Sequence, residues 1–136
     1  MTLSEAQESL AAEITALGDA FAQYEYLLVL AGRLPPLEES ARTEENLVAG
    51  CQSRVWLVME VRGGRFFLRA DSATLILRGV LALLCSLLNG RSPEEVASAR
   101  LDFLQRTELT ATFAAPRRRG LEAVLEKIRT FAAAAI

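Results

Sequence analysis

The sequence predicts an α+β fold, a small antiparallel β-sheet flanked by helices. Apolar residues recur at helical spacing in the N-terminal third and again through the second half. Between them lies a period-2 run that ends on Gly63-Gly64, two residues that can both take positive φ in a tight hairpin turn. Two strands joined by a hairpin exclude a doubly wound parallel sheet, which needs helical crossovers.

In chain order, Leu3, Leu10, Ile14, Leu17 and Phe21 form one amphipathic stripe. Gly18-Asp19 interrupts it, and Asp19 is suited to cap a second helix running to Leu30. Gly32 reads as a C-terminal cap, and Leu34-Pro35-Pro36-Leu37 cannot continue a helix. Residues 38–46 are polar and acidic, a surface connection. Val55, Leu57, Met59 and Val61 alternate with Arg54, Trp56, Val58 and Glu60, a strand with both faces partly apolar. Residues 65–70 return as its partner, and residues 47–49 are long enough for a short third strand.

Asp71-Ser72 is expected to cap a strongly apolar helix over residues 73–89, closed by Gly90 and central to the core. Ser92-Pro93-Glu94-Glu95 is a compact helix start, with a cap, Pro at the first helical position and Glu at the third. A short helix is predicted over residues 101–106, residues 110–115 are ambiguous, and a last helix is expected from Gly120 onward. With 136 residues, 51% of them hydrophobic, the chain suits a single domain over residues 1–136 with one core.

Composition narrows the chemistry. There is no histidine, which removes His-based triads and His metal ligands. The only lysine is Lys127, and the two cysteines, Cys51 and Cys85, are too few for a four-thiolate metal site, so no metal is expected. A net charge of −2 gives no footprint for nucleic acid. The apolar stretch over residues 80–88 is far shorter than the roughly 20 residues of a membrane span. Residues 1–13 lack the pattern of a secretory signal, so a cytoplasmic setting with reduced thiols is expected.

Cys51 stands in Gly50-Cys51-Gln52-Ser53-Arg54, at the junction between an extended segment and a strand. Gly50 permits a turn that would expose the next side chain, Gln52 and Ser53 could orient a thiolate, and Arg54 could lower its pKa. A small packed hydrophobe is the competing reading. Cys85 lies within the apolar helix and reads as inert core. Standing 34 residues apart, the cysteines form no CxxC redox pair. Glu38-Glu39 and Glu44-Glu45 read as a solvated face, and Arg117-Arg118-Arg119 as either an anion-binding corner or a solvated one.

The string Glu44-Glu45-Asn46-Leu47-Val48-Ala49-Gly50-Cys51-Gln52-Ser53-Arg54-Val55-Trp56-Leu57 resembles the signature of the SufE family of sulfur-acceptor proteins, including its CsdE relatives. The resemblance extends through Leu34-Pro35-Pro36-Leu37, Ala70-Asp71-Ser72-Ala73, Arg78-Gly79, Asn89-Gly90-Arg91-Ser92-Pro93-Glu94-Glu95, Arg117 and Gly120-Leu121, covering essentially the whole chain. It implies a fold similar to the IscU/NifU-type scaffold domain. It also implies a persulfide carrier, not an independent enzyme, with no cofactor of its own. Its expected partners are a PLP-dependent cysteine desulfurase of the SufS or CsdA type and a downstream iron–sulfur scaffold or other acceptor. Cys51 falls on the family's sulfur-accepting cysteine; Asp71, Arg78 and Arg117 are candidate partner contacts. The alternative is a desulfurase-docking regulator or scaffold feeding another sulfur-transfer pathway. The pattern departs from the family's at Leu88, at Thr107-Glu108-Leu109, and at Pro116 and Arg118, which leaves the structure of residues 106–119 open.

Overall fold

The hairpin organises the molecule. Strand β1 (Val55–Arg62) pairs antiparallel with β2 (Arg65–Ser72) from Val55 opposite Ser72 to Arg62 opposite Arg65. Gly63 and Gly64 join them at φ 57° and 76°, a conformation costly for residues with a Cβ. The computed structural model describes residues 1–136, apart from the side chain of Thr112.

Val55 and Leu57 from β1 and Phe66, Leu68 and Ala70 from β2 are buried on one face of the hairpin. Helices cover that face: α1 (Leu3–Ala16), α2 (Ala20–Ala31), α3 (Leu75–Leu88), α4 (Pro93–Ser98) and α5 (Ala115–Ala134). Helix α3 is buried nearly all round, packing on β2 and α2, while α5 packs on α4 and β1. Phe131 of α5 meets Phe66 edge-on at 6.1 Å between ring centroids. The other face of the hairpin is apolar at Trp56, which packs in a second cluster with Leu37 and Ala41. That accounts for a strand with apolar residues on both sides. Among the described residues no helix is long and apolar enough to cross a membrane.

Several expectations change. The N-terminal stripe ends at Ile14; Leu17 and Phe21 are exposed, because Gly18 at φ 121° breaks the helix and resets its phase. Asp19 then caps α2 as expected, its side chain accepting from the Ala22 N–H at 3.0 Å. Residues 47–49 form no strand: Leu47 makes an isolated bridge to Trp56, and the chain turns away after Val48. The polar segment over residues 38–46 contains a 3-10 turn, Glu39–Ala41, whose Ala41 is buried.

Asp71 and Ser72 end β2 instead of capping α3, which begins two residues later behind Thr74. Helix α5 starts five residues before Gly120, with Pro116 in its first turn, so Gly120 lies inside it. Between α4 and α5 the chain forms two short 3-10 turns, Phe103–Arg106 and Leu109–Thr112.

Candidate functional site

Backbone chemistry pins the segment bearing Cys51 on both flanks. Upstream, the Val48 N–H donates to the Val55 carbonyl at 2.9 Å, and Lys127 Nζ donates to the carbonyls of Glu45 and Leu47 at 3.1 Å each. Downstream, the Arg54 carbonyl accepts from Ser72 Oγ at 2.7 Å and from the Ala73 N–H at 3.2 Å. Thr74 Oγ1 donates to Ser53 Oγ at 2.8 Å. Residues 49–53 bulge between these anchors, with Gly50 at φ 85° supplying the bend.

At the bulge the Cys51 thiol is half-buried against α5 and lines an open cavity of about 280 Å³. Gln52, Ser53, Leu77, Ala114, Pro116 and Arg117 form the rest of its wall. Burial pushes the thiol above its ordinary value, and the Ser53 backbone N–H and the Arg117 guanidinium offset only part of that. The expectation of an activating Arg54 is therefore corrected twice. The cation beside Cys51 is Arg117, contributed by α5, and the resting thiol is less acidic than usual. Arg54, just before β1, is exposed and borders a different depression with Arg42 and Trp56. Arg117 itself lies over the Phe113 ring at 5.9 Å.

The other two candidate contacts brace the fold. Asp71 is 1% exposed and accepts from the backbone N–H groups of Leu37 and Ser72. It pairs with Arg78 and, at 2.7 Å, with Arg42. Burial alone would raise its pKa; the two N–H donors and the two guanidinium groups outweigh that and hold it low. Arg78 also donates to the carbonyls of Ala31 at 3.3 Å and Leu34 at 2.5 Å, tying α2 and the proline segment to α3. The charged groups of both side chains are thus engaged inside the protein.

Cys85 is not sealed in the core. It is half-buried, its thiol 3.5 Å from the Leu68 carbonyl, and it lines an apolar cavity of about 270 Å³ with Leu34, Pro35, Leu37 and Leu68. Burial raises its pKa to about 11, which fits an inert thiol. The two cysteines are free and face different cavities. Among the described residues, no three His, Cys, Asp or Glu side chains gather to hold a metal.

Sequence reasoning missed the wall contributed by Leu77, Ala114 and Pro116, and the close approach of Gly120 to Cys51. A glycine inside an apolar helical pattern was the available signal, since such glycines usually serve a close approach. A Cβ built on Gly120 would lie 2.8 Å from Cys51 Sγ.

Known proteins share this architecture. A SufE family model, described as an Fe-S metabolism associated domain, matches residues 8–132. The chain is also similar to the solution structure of a hypothetical protein from Thermus thermophilus. The two share 25% identity over 96% of this chain and 95% of the other, with a TM-score of 0.79.

Proposed function

The chain belongs to the SufE family of Fe-S metabolism associated domains, and on that premise we propose that it accepts sulfur from a cysteine desulfurase onto Cys51. The observation that carries this reading is the placement of Cys51 on a bulge pinned at both ends, with its thiol facing an open cavity beside Arg117.

The transfer is thiol–disulfide exchange in form. The Cys51 thiolate attacks the outer sulfur of a persulfide on the desulfurase, a bond forms between Cys51 Sγ and that sulfur, and the donor S–S bond breaks. The donor cysteine leaves as thiolate with the electron pair and can take up the proton that Cys51 gave away, so no external oxidant or reductant enters. No histidine is required, because proton transfer can run between the two thiols once the cavity closes over them. Arg117 favours the thiolate and is the candidate partner contact whose place at the cavity wall suits it to an approaching enzyme.

In this reading the protein works as one domain over residues 1–136, a carrier and desulfurase activator with no chemistry of its own. Its setting is the cytoplasm, where both thiols stay reduced between transfers. The receiving end is an iron–sulfur scaffold or another sulfur acceptor.

Intact-mass analysis after incubation with cysteine and a desulfurase of the SufS type tests the proposal. Wild type should gain one sulfur and Cys51→Ser none. Sulfur mapped to Cys85 instead would overturn the assignment.

A further inference from the structure

We propose that Gly120 is a positioning residue: its missing side chain forms the seat that retracts Cys51 Sγ against α5 and so sets the reactivity of the resting thiol. The inference concerns regulation of the same site and rests on the sulfur-acceptor reading above.

Glycine is the poorest helix former after proline, and Gly120 is buried within the 20-residue helix α5. A Cβ there would stand 2.8 Å from Cys51 Sγ and 3.6 Å from Cys51 Cα and Cβ. The thiol thus fills the volume that a methyl group would take. Gly79, the other buried helical glycine, is different in kind: a Cβ there would collide with the Leu27 backbone, so its space serves helix packing. At Gly120 the nearest neighbour is the end of one side chain, and that end is the candidate nucleophile.

Two consequences follow from the seat. With Sγ pressed on the helix, water reaches the thiol only from the cavity side, which disfavours the thiolate. Arg117, the one charged side chain on that cavity among the described residues, stands beside the seated thiol and offsets only part of that loss. Drawing Cys51 out of the seat gives it solvent and access to an approaching persulfide while Arg117 stays at the cavity wall. Gly50, at φ 85° next to Cys51, supplies backbone freedom for that movement.

Gly120→Ala fills the seat. Alkylation of Cys51 by iodoacetamide, followed by peptide mass from neutral to alkaline pH, should be about threefold to tenfold faster than wild type near neutrality. Its pH midpoint should move down. A rate unchanged or slower, in a variant that melts like wild type, would sink the proposal.

Should Gly120→Ala melt early, a thermal cycle with Cys51→Ala decides. Removing Sγ should turn Gly120→Ala from neutral or destabilising into stabilising, as helix propensity dictates. Equal melting shifts in the two backgrounds would refute the seat. Neither measurement uses a desulfurase. A wild type that takes up no sulfur therefore sinks the acceptor reading alone, and an indifferent Gly120→Ala sinks the seat alone.

Discussion

The proposed transfer needs a thiolate at the moment of attack, yet burial favours the thiol form of Cys51 and Arg117 recovers only part of the loss. The resting protein should therefore alkylate slowly at neutral pH, with a midpoint above the ordinary cysteine value of about 8.5. Arg117→Ala removes the stabilising charge, so the midpoint should move further up and the neutral rate fall. A midpoint near or below the ordinary value in wild type would contradict the burial argument. The bend that bears Cys51 was legible in a short string, because glycine tolerates the positive φ that Gly50 adopts there. The electrostatic partner of Cys51 was not. The sequence neighbour Arg54 borders a different depression, whereas Arg117 arrives from a helix far along the chain, and only tertiary packing brings it beside Cys51.

At the scale of elements, glycine reveals more than helix periodicity does. The α2–α3 crossing depends on Gly79, where any side chain would meet the backbone of Leu27. Gly79→Ala should destabilise by about 1–3 kcal/mol, despite a helix-propensity gain of the opposite sign. Chemical denaturation measures it, and a stabilised variant would show that the two helices can part without loss.

Helix boundaries were less legible than helix existence. Asp71 and Ser72 have the composition of a cap, and their side chains do accept N–H donors, from Ser72 and Thr74 respectively. They do so at the end of a strand, in the turn that enters α3. Gly120 drew the predicted start of α5 too far along the chain, although Pro116 already marked the first turn. The hairpin, in contrast, could be read almost residue for residue, since a diglycine turn and a period of two define it together.

For the whole molecule, Asp71 is the junction of separate parts of the chain, tied to the Leu37 backbone, Arg42, β2 and α3. Its pKa is held below that of an unfolded aspartate. Its contribution is thus fully present above the unfolded value, near 3.9, and disappears as pH falls through the lower folded value. Asp71→Asn should cost about 3–5 kcal/mol near neutrality, because it leaves the half-buried Arg78 without its counter-charge. Urea unfolding at several pH values should find the gap between the two proteins narrowing in acid. A gap of constant size would mean that the carboxylate charge is not what braces the fold. The second cluster around Trp56 and Leu37 could not be anticipated from a strand pattern, since it exists only because the proline segment folds back over the hairpin.

Two glutamines, Gln7 and Gln23, are buried as deeply as the core. Gln7 of α1 donates to the Arg100 carbonyl and accepts from the N–H groups of Asp102 and Phe103, while Gln23 of α2 donates to the Gly18 carbonyl and accepts from the Glu108 N–H. Both clamp the stretch between α4 and α5 by its main chain. Main-chain atoms are the same whatever residue bears them, so this stretch is held in a grip that is indifferent to spelling. Glu108 is gripped only through its main-chain N–H, so that clamp survives a change of side chain, whereas Thr107 is held by its own letter: its hydroxyl donates to the Leu104 carbonyl and accepts from the Leu109 N–H.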